Sequence, residues 1–423
     1  MMFIGAAEKF LCPPSLHMGG YIDRKGLSQG THDELGVKAM CFIDSEVAPV
    51  FIVSCDVLDI PVDWQGRVYE SIKGFLSLDD FHLVIASTHT HAAPDIQFVS
   101  PPEQTYAETV FETILSVCRE AFQSKEMCTR FSFGTTLISD IGCIRRQGQR
   151  IALPLTVQAF YTHSRSDKPQ GIIVHFPCHP TILGADNRWY SAEYPGVIAS
   201  RLASVFEGAC VCFFNGAAGD ISARCTRREQ TFREMERIGN ELAERACRLI
   251  RNPDKVVGVR EDWSFHAASR EVLLQPQPLN DALLTTLSNS VKTETRSAMS
   301  SVQADRTRHT LLQALQAWRS GWLANAKPVR VQVMAVSFSA CVDYVFWPGE
   351  PFSNYAKIIQ HARTHPVVLV GYAGGVGYLP DVDADDDVSY EVLMSQYGRA
   401  AGQRLLAASR GLLETWERGE AWS

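Results

Sequence analysis

Two histidines, His89 and His91, stand in Thr88-His89-Thr90-His91, directly after the apolar run Leu83-Val84-Ile85-Ala86. Imidazole binds metals and carries protons near neutral pH, and the end of a buried strand is a place where catalytic metals are held. If the strand continues through the pair, alternation puts both rings on one face about 7 Å apart. That spacing suits one metal ligand and one neighbour. Pro94 then stops the strand. A bare His-x-His reads equally well as two surface histidines in a strand-end loop, so the rest of the chain has to decide.

Three later segments bring similar chemistry to strand ends. His179 lies in Phe176-Pro177-Cys178-His179-Pro180, where two prolines end pairing and leave the imidazole at the sheet margin. Glu350 lies in Trp347-Pro348-Gly349-Glu350-Pro351, and a carboxylate in apolar surroundings needs a cationic partner or exposure. Tyr378 closes the glycine-rich stretch Gly371-Tyr372-Ala373-Gly374-Gly375-Val376-Gly377-Tyr378, where backbone can approach a site closely. Each has a structural reading of its own. Their shared position after apolar strands adds weight, because ligands of open α/β sheets gather beyond strand ends.

The elements that must position these residues alternate between β-rich apolar runs and helical patterns. Strands are expected at 39–43, 50–55, 81–86, 171–176, 210–214, 329–336 and 367–370, and helices at 63–75, 107–123, 196–207, 231–250 and 390–406. The pattern predicts an α/β protein, a mixed β-sheet core flanked by helices. Residues 279–326 alternate leucine with polar residues at helical spacing and read as a helical insertion, either an arm or lid or a plain packing hairpin. With no internal repeat and no low-complexity linker, one domain over 1–423 is the simplest count.

Composition narrows the function classes. The chain has 423 residues, 46% hydrophobic and 21% charged, enough for a large core. A net charge of −7 without a basic run gives no footprint for nucleic acid. The twelve cysteines contain no Cys-x-x-Cys and sit mostly in apolar runs, so reduced, buried thiols are expected. No apolar segment nears the roughly 20 residues that span a bilayer, and the N-terminus lacks a signal-peptide pattern. These features point to the cytoplasm.

Over nearly its whole length the sequence resembles the neutral/alkaline ceramidases, zinc amidohydrolases that cleave N-acyl sphingosines. The resemblance rests on Gly30-Thr31-His32-Asp33-Glu34-Leu35, Ser87-Thr88-His89-Thr90-His91 with Pro94, and Asn215-Gly216-Ala217-Ala218-Gly219-Asp220-Ile221-Ser222. It continues through Pro348-Gly349-Glu350, the stretch 371–378 and Tyr390-Glu391. It implies one zinc ion per chain held by His89, His179, Glu350 and Tyr378, with His91 and Tyr390 beside the metal and either Arg145 or Arg146 facing the substrate carbonyl. A catalytic zinc keeps a position open for water, whose pKa falls to roughly 7. Tyr378 is expected to be a weak ligand that swings away. His91 is either the proton donor to the leaving amine or a group that orients a ligand. Asp220 and Ser222 lie in a turn that borders the active site in this family; water is expected as the nucleophile rather than Ser222.

Other residues are more ambiguous. Asp56 reads either as a carboxylate bonded to a ligand histidine or as a helix cap. The acidic run 381–387 resembles a calcium loop but lacks its sixth-position glycine and twelfth-position glutamate, which favours a solvated turn. The sequence departs from the ceramidases at Ala92-Ala93-Pro94, where they carry Ser-Gly-Pro, and at Ala223-Arg224, where they carry Pro-Asn. They also have a C-terminal immunoglobulin-like domain, which is not expected here. The expected activity is hydrolysis of a linear amide in ceramide or in a smaller soluble N-acyl compound. A binuclear hydrolase of the metallo-β-lactamase type would need an Asp-His pair where Ala92-Ala93 stands, and a non-catalytic binding protein would be marked by lost ligands, all four of which are present.

Overall fold

In the computed structural model the described residues are all but 22–23, 46, 77, 98–99, 259–264, 278–311, 313–325, 340, 382–388 and 419–423. The predicted insertion 279–326 therefore lies almost entirely outside the described residues, and so does the acidic run beyond Asp381.

Two sheets form the centre. The larger runs Cys210–Asn215, Gly171–Phe176, Leu153–Thr162, Glu126–Ile138, Phe3–Leu11, Leu35–Ile43, Val50–Cys55 and His82–Ser87, with Lys255–Gly258 also paired to Glu126–Ile138. The smaller runs Phe265–Leu274, Val329–Phe338, Val342–Phe346 and Val367–Val370. Side-chain alternation sorts the strands into layers. Val37, Ala39, Cys41, Val53, Ile85, Val174 and Val211 face one core with the helices Trp64–Leu76, Pro101–Gln123, Glu193–Val205 and Phe232–Arg251. Their neighbours Met40, Phe42, Ile52, Val84, Ile173 and Cys212 face a second core, shared with Met334, Val336, Tyr344, Phe346 and Val370 of the smaller sheet. The outer face of that sheet, through Val333, Val345 and Leu369, packs on the helices Ser353–Gln360 and Gly398–Arg418. The result is helix, sheet, sheet, helix. Strands covered on both faces are continuously buried, as in Val50–Cys55 and Gly171–Phe176.

Most predicted elements form, and the α/β class holds. Predicted helix 107–123 begins earlier, at Pro101, because Pro101-Pro102 fits a helical first turn. Predicted helix 390–406 is two helices, Tyr390–Leu393 and Gly398–Arg418. Between them the Ser395 hydroxyl donates to Tyr378 O at 2.7 Å and accepts the Gly398 N–H at 3.0 Å. The thiol expectation is corrected at one pair: Cys143 and Cys225 form a disulfide between two loops distant in sequence, which no local spacing announces. The remaining free cysteines are buried except Cys12. Among the described residues no helix is long and apolar enough to cross a membrane.

Candidate metal centre

Three parallel strand pairs end at one place. Val50–Cys55 with His82–Ser87, Gly171–Phe176 with Cys210–Asn215, and Val342–Phe346 with Val367–Val370 all release their C-terminal loops there. Backbone hydrogen bonds stitch these loops together, two of them across the two sheets, Ser87 N to Tyr372 O at 3.0 Å and Gly371 N to Asn215 O at 3.0 Å, and one within the smaller sheet's loops, Glu350 N to Gly377 O at 2.9 Å.

The strand does not continue through the histidine pair. It ends at Ser87, and His89 adopts φ 65°, a left-handed conformation rare outside glycine. The ring thereby turns so that Nδ1 donates to Leu58 O at 2.7 Å. Instead of standing about 7 Å apart on an extended strand, His89 and His91 bring their Nε2 atoms to 3.2 Å. His179 Nδ1 donates to Ala218 O at 2.6 Å, and its Nε2 lies 3.0 Å from Glu350 Oε2, which is 3.5 Å from His89 Nε2. The three histidines are placed so that they could hold a metal ion, with ligand atoms within 4.8 Å of one another.

The electrostatics favour the same conclusion. Burial pushes His89 down to about 4 and His91 and His179 well below the usual histidine value, so all three are neutral at pH 7. With Nδ1–H committed to a carbonyl, His89 and His179 each present a bare Nε2 lone pair. Burial raises the Glu350 carboxyl, partly opposed by His89 and Arg145. His179 Nε2 and Glu350 Oε2 have no hydrogen-bond partner although both are buried. A cation is the group that satisfies converging acceptors. Donors about 2.1 Å from a tetrahedral zinc stand roughly 3.4 Å apart, close to the separations here, so the donor set fits zinc.

The other predicted residues fall around this cluster. Tyr378 is paired in β register with Glu350, and its hydroxyl accepts from Arg145 Nη2 at 3.0 Å. Arg145 also donates to Gly219 O at 2.8 Å and lies 2.6 Å from Glu391. Arg146 turns instead to Asp220 Oδ2 at 3.3 Å, so Arg145 is the arginine at the cluster. The Tyr390 ring lies 6.1 Å from that of Tyr378. Asp220 Oδ1 accepts the Ser353 N–H at 2.8 Å, tying the glycine-rich turn to the start of helix Ser353–Gln360. Ser222 Oγ accepts the Arg224 N–H at 3.3 Å. Asp56 is neither histidine-bound nor a helix cap. It accepts from Gly36 N at 2.8 Å, Lys38 Nζ at 3.2 Å and Thr88 Oγ1 at 3.0 Å, and the next helix begins only at Trp64. On the Nδ1 side of His89 the nearby carboxylate is that of Asp59, 3.8 Å away. Tyr372, whose ring packs 4.4 Å from His89, was also not singled out, although its place in the glycine-rich stretch was the available signal.

No protein-family model and no curated protein matches the sequence. Solved structures do. A ceramidase complexed with C2 superposes with a TM-score of 0.74 at 14% identity, over 98% of this chain and 75% of that one. Neutral ceramidase from Pseudomonas aeruginosa gives 0.73 at 15%, over 98% and 74%. At this identity the likeness is one of fold, and it meets the expectation drawn from the ordered motifs: the chain folds as the neutral ceramidases do.

Proposed function

We propose that the protein is a zinc-dependent hydrolase of a linear amide, ceramidase-like in chemistry, acting on ceramide or on a smaller N-acyl compound. The observation that carries this is the convergence of the His89 and His179 Nε2 lone pairs on the Glu350 carboxylate, with each Nδ1 fixed by a carbonyl. Those three residues and Tyr378 are the proposed ligands. Bound zinc supplies Lewis acidity and a water whose pKa falls to roughly 7.

The remaining residues divide the work. A ligating histidine usually has its second nitrogen anchored, as His89 and His179 do, whereas His91 Nδ1 has no hydrogen-bond partner. His91 is therefore the proton carrier: neutral at pH 7, it takes the proton as the water oxygen adds to the carbonyl carbon. It returns that proton to nitrogen as the C–N bond breaks, giving a carboxylic acid and an amine. Arg145 favours the ionised form of Tyr378 against the burial that raises it, and Tyr390 lies beside it to donate to the developing oxyanion.

The test is fatty-acid release from long-chain ceramide and from short N-acyl compounds by zinc-loaded protein, with metal content measured in parallel and Glu350→Ala as control. Release lost together with zinc in Glu350→Ala supports the reading. Wild-type metal content and wild-type activity in that variant would sink it.

A further inference from the structure

Beside the histidine cluster lies a buried ionic group. Asp56 follows strand Val50–Cys55, and its Oδ1 accepts from Thr88 Oγ1 at 3.0 Å while its Oδ2 accepts from Gly36 N at 2.8 Å and Lys38 Nζ at 3.2 Å. Lys38 belongs to strand Leu35–Ile43 and also lies 3.6 Å from Glu8 of Phe3–Leu11. The Lys38 and Asp56 side chains are only 7% and 2% exposed. Burying such charges is costly even when they are paired, and apolar side chains of similar volume often hold strands together as well. Placement gives the pair a purpose, because the hydroxyl it holds belongs to the residue before His89.

Residues 55–58 run alongside residues 87–89. Thr88 N donates to Cys55 O at 2.8 Å and His89 N to Val57 O at 3.1 Å. The Ser87 hydroxyl donates to Leu58 O at 2.8 Å, the same carbonyl that takes His89 Nδ1–H at 2.7 Å. Within this ladder His89 stands at φ 65°. A left-handed conformation at a residue with a Cβ is strained and persists only where its surroundings over-determine it. The backbone bonds set where the turn lies. The Asp56–Thr88 bond fixes the side chain on its N-terminal flank, so the strain at His89 is not relieved by rotation of Thr88. Lys38 and the Gly36 N–H hold the carboxylate in turn.

We propose that Asp56, held by Lys38, is a positioning residue for the candidate metal centre: through the Thr88 hydroxyl it fixes the left-handed turn that aims His89 Nε2 at Glu350. The inference rests on the reading of His89 as a metal ligand and not on the substrate, so its test needs no turnover. Thr88→Val keeps the shape and the backbone N–H but removes the hydroxyl, Thr88→Ser restores it, and Asp56→Asn removes the charge. The metal-free protein is titrated with cobalt(II), whose visible spectrum reports ligand geometry, and with zinc in competition. Thr88→Val and Asp56→Asn should weaken binding of both metals about tenfold or more and alter the cobalt spectrum, and Thr88→Ser should behave as wild type. Should Asp56→Asn fail to fold, Thr88→Val carries the test. Unchanged metal affinity in Thr88→Val, or an equal loss in Thr88→Ser, would overturn the proposal whatever happens to the melting temperature. If wild type binds neither metal, the ligand reading fails, and nuclear magnetic resonance of the His89 Nδ1 proton, identified by its absence from His89→Gln, decides. Faster exchange of that proton in Thr88→Val than in wild type or Thr88→Ser would keep the positioning role; equal exchange would end it.

Discussion

Gly219 tests whether the glycine-rich turn shapes the candidate metal centre. A Cβ built there would stand 2.3 Å from Glu350 O and 3.1 Å from Phe352 Cδ1. Carbon and oxygen do not approach so closely, so the turn or the Glu350 backbone must move by about 1 Å to restore van der Waals contact. The displacement falls on two hydrogen bonds, Gly219 N to Pro351 O at 2.9 Å and Arg145 Nη2 to Gly219 O at 2.8 Å. Overpacking typically costs about 1–3 kcal/mol, and each weakened hydrogen bond adds about 1 kcal/mol. We therefore expect Gly219→Ala to destabilise the protein by about 3–5 kcal/mol and, by shifting Glu350 and releasing Arg145, to weaken zinc binding roughly 10- to 100-fold. Thermal melts and zinc competition against a chelating dye measure the two effects. Gly66→Ala, in the helix Trp64–Leu76 with nothing near its added carbon, is the control and should be neutral or slightly stabilising. If Gly219→Ala matched wild type in both melting and zinc affinity, the claim that this turn sets the position of Glu350 would be wrong.

Two further outcomes follow from groups away from the candidate metal centre. His175 is buried between the sheets, where desolvation lowers its pKa to about 4, against a small opposing effect from its hydrogen bond to Leu369 O at 3.2 Å. The unfolded chain takes up a proton below the ordinary value of 6.5 while the folded ring stays neutral, so stability falls as pH drops from 6.5 towards 4, by about 3 kcal/mol for this group. Urea denaturation across that window should be less pH-dependent in His175→Gln, and an unchanged slope would contradict the assignment. The Cys143–Cys225 disulfide spans a sequence separation of 82, and opening it should cost about 2–4 kcal/mol. Reductant should lower the melting temperature of wild type but leave a Cys143→Ser/Cys225→Ser variant unmoved; equal responses would refute that contribution.

The sequence made the strand-end residues legible. Short continuous apolar runs closed off by proline, glycine or polar residues announced buried strands that stop, and His89, His179, Glu350 and Tyr378 stood beyond such runs. The α/β class followed from the alternation of runs. Strands Phe3–Leu11, Glu126–Ile138, Leu153–Thr162, Phe265–Leu274 and Val342–Phe346 were not among those expected; mixed burial weakens the pattern of the first two, where Glu8 and Lys9 interrupt one and Thr135 and Thr136 the other. Asp56 was misread because a carboxylate after a strand has several local partners, and here Lys38, from the adjacent strand, is one of them.

What the sequence determined by itself is therefore local: which segments are strands, which residues with chemistry lie just beyond them, and that these types suit a metal. Tertiary structure alone decided how they meet. The left-handed turn at His89, the choice of Arg145 over Arg146, the nearness of Asp59 and Tyr372 and the disulfide all depend on loops from two different sheets being brought together. Short-range periodicity reports how a segment buries its own side chains. It carries no record of the distant segment against which they are buried, and the Nε2 and carboxylate atoms of the candidate metal centre converge only through that packing.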